Sequence, residues 1–306
     1  MKALMAIAAA AMCWPGAMTA SVLYGGLGGH AVSSGPLASA NDGALAIVDQ
    51  ATGNVTIVGH PAGVSRITGL AFDSFGDLFA STTGGAPFPP PPPGPLLSDL
   101  IQLNPGTGAL ISSVPITSGG VQLSIADLAI QPGANVLYGV SSPNGPSAPG
   151  QLYTIDTRTG IATPVGAPQS FFDSIAFAPN GTLYETIADF AMGPVNPQIQ
   201  VLNPATGARV GAPVPTGFFF GALAVRPEDG ALFGGTGDES GVYVIDPTTG
   251  AATLTGNTGL NFVGDYAFSD VPEPGEAVAV SLSLLLLGCW RARRHRQAAF
   301  PHRTAR

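Results

Sequence analysis

The sequence predicts an all-β fold, a β-propeller of about five four-stranded blades. Five segments repeat one pattern: LAIVDQATGNVTIVG from Leu45, LIQLNPGTGALISSV from Leu100, LYTIDTRTGIATPVG from Leu152, IQVLNPATGARVGAP from Ile199 and VYVIDPTTGAATLTG from Val242. Their shared Thr-Gly places glycines at Gly53, Gly108, Gly160, Gly207 and Gly250, spaced by 55, 52, 47 and 43 residues. Periods of this size mark repeated supersecondary units. A second hairpin alternates with the first: GLAFDSFGDLFAST, DLAIQPGANVLYGVSS, SIAFAPNGTLYETIAD and ALAVRPEDGALFGGTG. The 42 glycines and 29 prolines fall between these short apolar segments, as turns do in an all-β chain.

Residues 1–20 read as a secretory signal. Lys2 precedes an apolar stretch from Ala3 to Trp14, followed by Pro15, Gly16 and small residues. Ala17, Thr19 and Ala20 all suit the last residue before cleavage, and the sequence does not choose among them. The two cysteines, Cys13 and Cys289, lie in the apolar ends, so the body has no disulfide framework.

Residues 21–270 form the repeat. In each Thr-Gly unit Asp49, Asn104, Asp156, Asn203 or Asp246 ends the first strand. Its side chain is expected to bond the backbone two residues on, with glycine supplying a positive φ near the turn exit. A metal or catalytic set is the alternative reading of these five residues. The second hairpins carry Ala71, Ala129, Ala176 and Ala224, small residues suited to strands crowded around an axis. Within a unit the strands are named A (with the alanine), B (LY or LF), C (YxID) and D. The last unit ends at DYAFSD, with Ala267 aligned but no B strand after it. A matching B strand, SVLYGGLGG, stands at residues 21–29. Pairing these two segments would close a ring and remove its exposed edges. A β-sandwich and a ring with an irregular sixth blade are the competing architectures.

The A–B and C–D turns are tight, while the long segments are B–C or D–A connections. Insertions therefore gather on one face, where binding usually resides. One of them carries five prolines from Pro89 to Pro93, either a stiff polyproline strut that docks in a groove or a plain spacer. The first residues of the A strands are Thr68/Gly69, Ala126/Asp127, Asp173/Ser174, Gly221/Ala222 and Gly264/Asp265. Asp127, Asp173 and Asp265 are thus expected at one mouth of the channel. There they would hold a ligand or Ca²⁺, which accepts such oxygens with loose geometry, or cap backbone N–H groups of the neighbouring blade.

Charge narrows the partners. Between residues 21 and 270 four arginines stand against seventeen acids, a balance of −13, with no lysine. Such a surface repels nucleic acid and anionic lipid. No HExxH, GxSxG, phosphate loop or dinucleotide fingerprint is present, and no general acid–base pair can be named.

Residues 271–306 form a tail of three parts. VPEP (Val271, Pro272, Glu273, Pro274) precedes a short apolar run from Ala277 to Trp290, and Arg291, Arg293, Arg294 and Arg296 follow. The run is short for a ~30 Å hydrocarbon core, and the arginines resist translocation, so the tail reads as a single transmembrane helix with the body outside. This arrangement resembles the PEP-CTERM sorting signal of Gram-negative bacteria. The resemblance implies processing by an exosortase, inner-membrane insertion of the precursor, and a destination in the periplasm, outer surface or an exopolysaccharide or biofilm matrix. Glu276 directly before the run and the extra QAAFPHRTAR after the arginines depart from that pattern. The body resembles exported NHL-like propellers, which implies the fold and little about function. The expected role is binding or scaffolding, with a polysaccharide or envelope protein as partner. A Ca²⁺-dependent propeller hydrolase, lyase or lactonase using the axial aspartates is the alternative.

Overall fold

The computed structural model describes residues 20–28, 40–82, 97–141, 150–169, 173–187, 197–236, 240–260 and 263–269. The first three strands are β1 (Val22–Leu27), β2 (Leu45–Val48) and β3 (Val55–Gly59). One sheet follows with β4 (Ile67–Phe72), β5 (Leu78–Thr82), β6 (Asp99–Leu103) and β7 (Leu110–Pro115), then a small hairpin of β8 (Thr117–Ser118) and β9 (Val121–Gln122). The next sheet holds β10 (Ile125–Gln131), β11 (Val136–Ser141), β12 (Gly150–Ile155) and β13 (Ala162–Gln169). Another holds β14 (Ile175–Phe177), β15 (Leu183–Ile187), β16 (Gln198–Leu202) and β17 (Arg209–Pro215). Then come β18 (Ala222–Val225), β19 (Leu232–Gly235), β20 (Gly241–Ile245) and β21 (Ala252–Asn257). The last strand, β22 (Val263–Ser269), adds to β1, giving a fifth sheet in the order β22-β1-β2-β3.

The A strands β22, β4, β10, β14 and β18 contact one another in a closed cycle, so the five sheets are the blades of a propeller. Every pairing within a blade is antiparallel. The sandwich and the sixth blade are not seen among the described residues. Closure joins the two ends of the body: Val22 pairs with Ser269, Leu23 with Phe268 and Tyr24 with Ala267.

The turns form for the expected reason. Asp156 Oδ1 accepts from the N–H groups of Arg158 (3.0 Å) and Thr159 (2.9 Å) and from Thr159 Oγ1 (2.9 Å), and Gly160 N–H returns to the Asp156 carbonyl (2.9 Å). Asp49, Asn104, Asn203 and Asp246 make the same bonds to residues two and three positions on. These five side chains build turns and do not converge on a site. Each turn glycine also abuts the D strand of the preceding blade. A Cβ on Gly160 would stand 2.3 Å from the Pro115 carbonyl oxygen, and one on Gly250 1.9 Å from that of Pro215.

The propeller lies within Ser21–Val271. Val271, Pro272, Glu273, Pro274, the apolar run and Arg291, Arg293, Arg294 and Arg296 lie outside the described residues. So do residues 1–19 and the prolines from Pro89 to Pro93. Among the described residues no helix is long and apolar enough to cross a membrane.

Candidate functional site

The channel is built from equivalent residues of the five A strands. Residues 70–72, 128–130, 175–177, 223–225 and 266–268 line a cavity of about 90 Å³. The middle residue of each triplet is the aligned alanine, and all five are buried. Alanine is needed because five strands converge here and an aromatic of the B strand lies across from each. The A strand is the inner edge of every sheet, so backbone groups with no ladder partner face this space. The volume suits a few waters, which bind where polar groups line the wall.

Asp127 and Asp265 sit two residues before their alanines, one step above the lined cavity, and both are fully buried. Each reaches into the following blade. Asp127 Oδ2 accepts from Ser174 Oγ (2.5 Å) and Ile175 N (2.6 Å), and its Oδ1 accepts from Leu128 N (2.6 Å). Asp265 Oδ2 accepts from Leu70 N (2.6 Å), while no N–H or O–H reaches Oδ1. The two carboxyls are close enough for each to act on the other. Two buried like charges at that range repel, which favours a proton on one of the pair. Burial lifts Asp127 to about 7, opposed by its hydrogen bonds, and lifts Asp265 well above the carboxylate range, where the charge of Asp127 adds to the effect. Asp127, held by three donors, is the better stabilised of the two as a carboxylate, and Asp265, which accepts from Leu70 N, holds a proton more readily.

Asp173 stands apart from this pair. It precedes Ala176 by three residues instead of two and lies ahead of β14, so Ser174 holds the position equivalent to Asp127 and Asp265. It is half-buried, its N–H bonds the Thr186 carbonyl (3.2 Å), and a Cβ on Gly221 would meet Asp173 Oδ2 at 3.5 Å. The structure therefore brings together two of the three expected aspartates. Among the described residues no three His, Cys, Asp or Glu side chains group so as to hold a metal ion. Capping of the neighbouring blade is what Asp127 and Asp265 do.

Two further polar clusters were not anticipated. Glu185 is fully buried in β15 and receives Arg209 Nε at 2.6 Å and Nη2 at 3.3 Å. Burial raises its pKa, against the pull of Arg209. The repeat itself carries the signal. The B-strand position holds Gly25, Ala80, Gly139 and Gly234 in the other blades, and the D-strand position holds Val55, Leu110, Ala162 and Ala252. Two departures in one blade meet across the sheet. The second cluster joins Ser21 to Glu228, Gln50 and Arg226 at the closing blade. Beside the channel, the buried Tyr266 hydroxyl has no partner, and burial raises its pKa.

No family model and no curated protein matches the chain. Solved structures do. A chain of the nidogen/laminin complex is 10% identical, with a TM-score of 0.52, and the match covers 81% of this chain and 98% of that one. A gluconolactonase of Xanthomonas campestris is 16% identical (TM-score 0.44; 79% and 78% covered). The Dos1 propeller is 15% identical (TM-score 0.39; 70% covered), and this chain spans 54% of its length. At these identities the first likeness speaks for the fold alone, and the other two carry no argument.

Proposed function

We propose that the chain is an exported, surface- or matrix-associated propeller that works by binding, with its long-connection face as the working surface. The observation that carries this reading is the pairing of Val22 with Ser269. The first and last strands are antiparallel neighbours, so the start of one and the end of the other share a face. That is the face of the tight A–B and C–D turns. The long B–C and D–A connections leave from strand ends on the opposite face. Ser269 therefore lies on the turn face, opposite the strand ends from which the long connections leave.

In this proposal residues 1–20 direct export and Ala277 to Trp290 form the membrane helix of the precursor. The arginine cluster stays cytoplasmic, and an exosortase processes the tail at Val271, Pro272, Glu273 and Pro274. The axis is a lock between blades, because Asp127 and Asp265 each accept from backbone N–H groups of the next blade. The balance of −13 between residues 21 and 270 favours a neutral or cationic partner, or one bridged by Ca²⁺. A neutral polysaccharide or an envelope protein meets that condition.

The experiment replaces residues 85–97 by a tight turn and compares melting temperature and matrix retention with the parent. Unchanged melting with reduced retention supports the working face; equal retention removes this connection from it. Mature protein that still carries Cys289 would replace the sorting signal by a plain anchor.

A further inference from the structure

We propose that hydrolysis of the Ala20–Ser21 bond is the maturation step of this chain, and that Glu228 is the receptor for the α-ammonium it releases. This rests on residues 1–20 being an export signal and fixes where that signal ends, a point left open by Ala17, Thr19 and Ala20.

Ser21 is where the chain enters the fold. Ala20 is exposed and Ser21 is buried. Ser21 N lies 2.5 Å from Glu228 Oε1, and Ser21 Oγ donates to Oε2 at 2.8 Å. Gln50 Nε2 donates to the Ser21 carbonyl at 2.7 Å. One residue thus occupies both carboxylate oxygens, and its carbonyl is held from the other side. Glu228 lies in the β18–β19 turn and Gln50 in the β2–β3 turn, so the clamp spans the seam between the β18–β21 blade and the closing blade. In the other four blades a covalent turn joins strand A to strand B. The closing blade has no such link, and Ser21 is clamped beside the gap.

Local charge points to an ammonium. Arg226 pairs with Asp229 (Nη2 to Oδ2 2.6 Å, Nε to Oδ1 2.9 Å), and its Nη1 donates to Gln50 Oε1 at 2.9 Å. The cluster therefore holds one cation, Arg226, and two anions, Glu228 and Asp229. An ammonium at Ser21 completes the balance and turns an amide–carboxylate hydrogen bond into an ion pair. In the cleavage, water adds to the Ala20 carbonyl carbon under a peptide hydrolase of the export machinery. The C–N bond breaks, Ala20 leaves as a carboxylate on the leader, and the nitrogen of Ser21 takes both protons of the water and becomes the ammonium. The clamp around Ser21 forms with the leader attached, and cleavage adds a charge to it.

Lys2 is the only lysine, so the mature chain has one amine, its α-amino group. The test expresses the full chain with export, then determines the N-terminus of the exported protein by intact mass and sequencing. Melting is followed from pH 6 to 10 for the parent, for Glu228→Gln, and for parent acetylated at its one amine. The expected N-terminus is Ser21. An ammonium facing a carboxylate titrates above its usual ~8, so its stabilisation is present below pH 8 and fades as pH rises through the folded value. The parent should lose a few degrees across that window relative to both comparators. Acetylation supplies the comparison if Glu228→Gln does not accumulate. Exported protein beginning at residue 18 or 20 overturns the proposal while leaving export standing. So does a Ser21 start with parallel pH profiles. An intact leader on protein retained in the cytoplasm overturns the export premise and the proposal with it.

Discussion

Tyr24 of the first strand lies directly opposite Ala267 of the last. The same aromatic-on-alanine pairing recurs as Phe79 on Ala71, Tyr138 on Ala129, Tyr184 on Ala176 and Phe233 on Ala224. The small partner leaves room for the large one beside the axis. The aromatic then reaches the next blade: Tyr24 meets Phe72 edge-on at 5.1 Å, Tyr138 meets Phe177 at 5.3 Å and Phe233 meets Phe268 at 5.2 Å. The closing blade, though assembled from both ends of the body, keeps the register of the covalent ones.

Closure should therefore decide cooperativity. Deleting residues 21–29 removes the strand between β22 and β2 and opens an edge on each. Loss of a single sharp transition, or aggregation, is expected. Leu23→Ala, at a fully buried position of β1, should cost about 2–5 kcal/mol in denaturant melts. A sharp parental transition in the deletion variant would refute closure as the source of stability.

Turn glycines divide into two kinds. Gly250 (φ 75°) and Gly181 (φ 85°) both adopt the left-handed region, but a Cβ on Gly250 would strike the Pro215 carbonyl, whereas one on Gly181 meets nothing within 4 Å. Gly181→Ala should cost only the backbone term, about 1–2 kcal/mol. Gly250→Ala should cost clearly more, because the blade-to-blade contact must also shift. Equal melting temperatures would show that the close approach is not limiting.

The repeat made most of the architecture legible. Five Thr-Gly turns set the blade count, and the unpaired SVLYGGLGG and DYAFSD gave the closure and its register. The channel site was legible only in part. Asp127 and Asp265 share one position in the repeat, but Asp173 lies one residue earlier, ahead of β14, and Ser174 holds that position. Glu185 and Arg209 are legible only as departures from the repeat, where small or apolar residues stand in the other blades. The Ser21–Glu228 contact joins residues 207 positions apart, and no periodicity reports that.

Asp127 and Asp265 predict a pH dependence. An acid whose folded pKa is raised binds its proton more tightly in the folded chain than in the unfolded one. The folded state is then disfavoured as pH rises from about 4 toward the folded value, by ~1.4 kcal/mol per pH unit for each proton retained. Asp265→Asn keeps the shape of the side chain without a titrating proton. Its melting temperature should vary less between pH 4 and 7 than the parent's and should exceed the parent's at pH 8. Parallel profiles would mean that the pair does not hold a proton.

Glu185 and Arg209 supply the sharpest single substitution. Glu185 has no exposed surface, whereas the Arg209 side chain keeps 22% of its own. The pair is therefore asymmetric: losing the arginine strands a buried charge, while losing the glutamate leaves an arginine that can still reach water. Breaking a buried pair by removing one partner costs about 3–5 kcal/mol, and replacing both by apolar groups of similar volume is often neutral. Arg209→Met should therefore be strongly destabilising, and Glu185→Leu/Arg209→Met should recover most of the loss. Without its cation Glu185 is raised further and takes up a proton as pH falls. The penalty of Arg209→Met should then be smaller at pH 5 than at pH 8. Denaturant melts of the two variants and the parent at both pH values measure this directly. A penalty for Arg209→Met that is independent of pH, and that remains when Glu185 is also replaced, would assign the loss to arginine packing instead of to the stranded carboxylate.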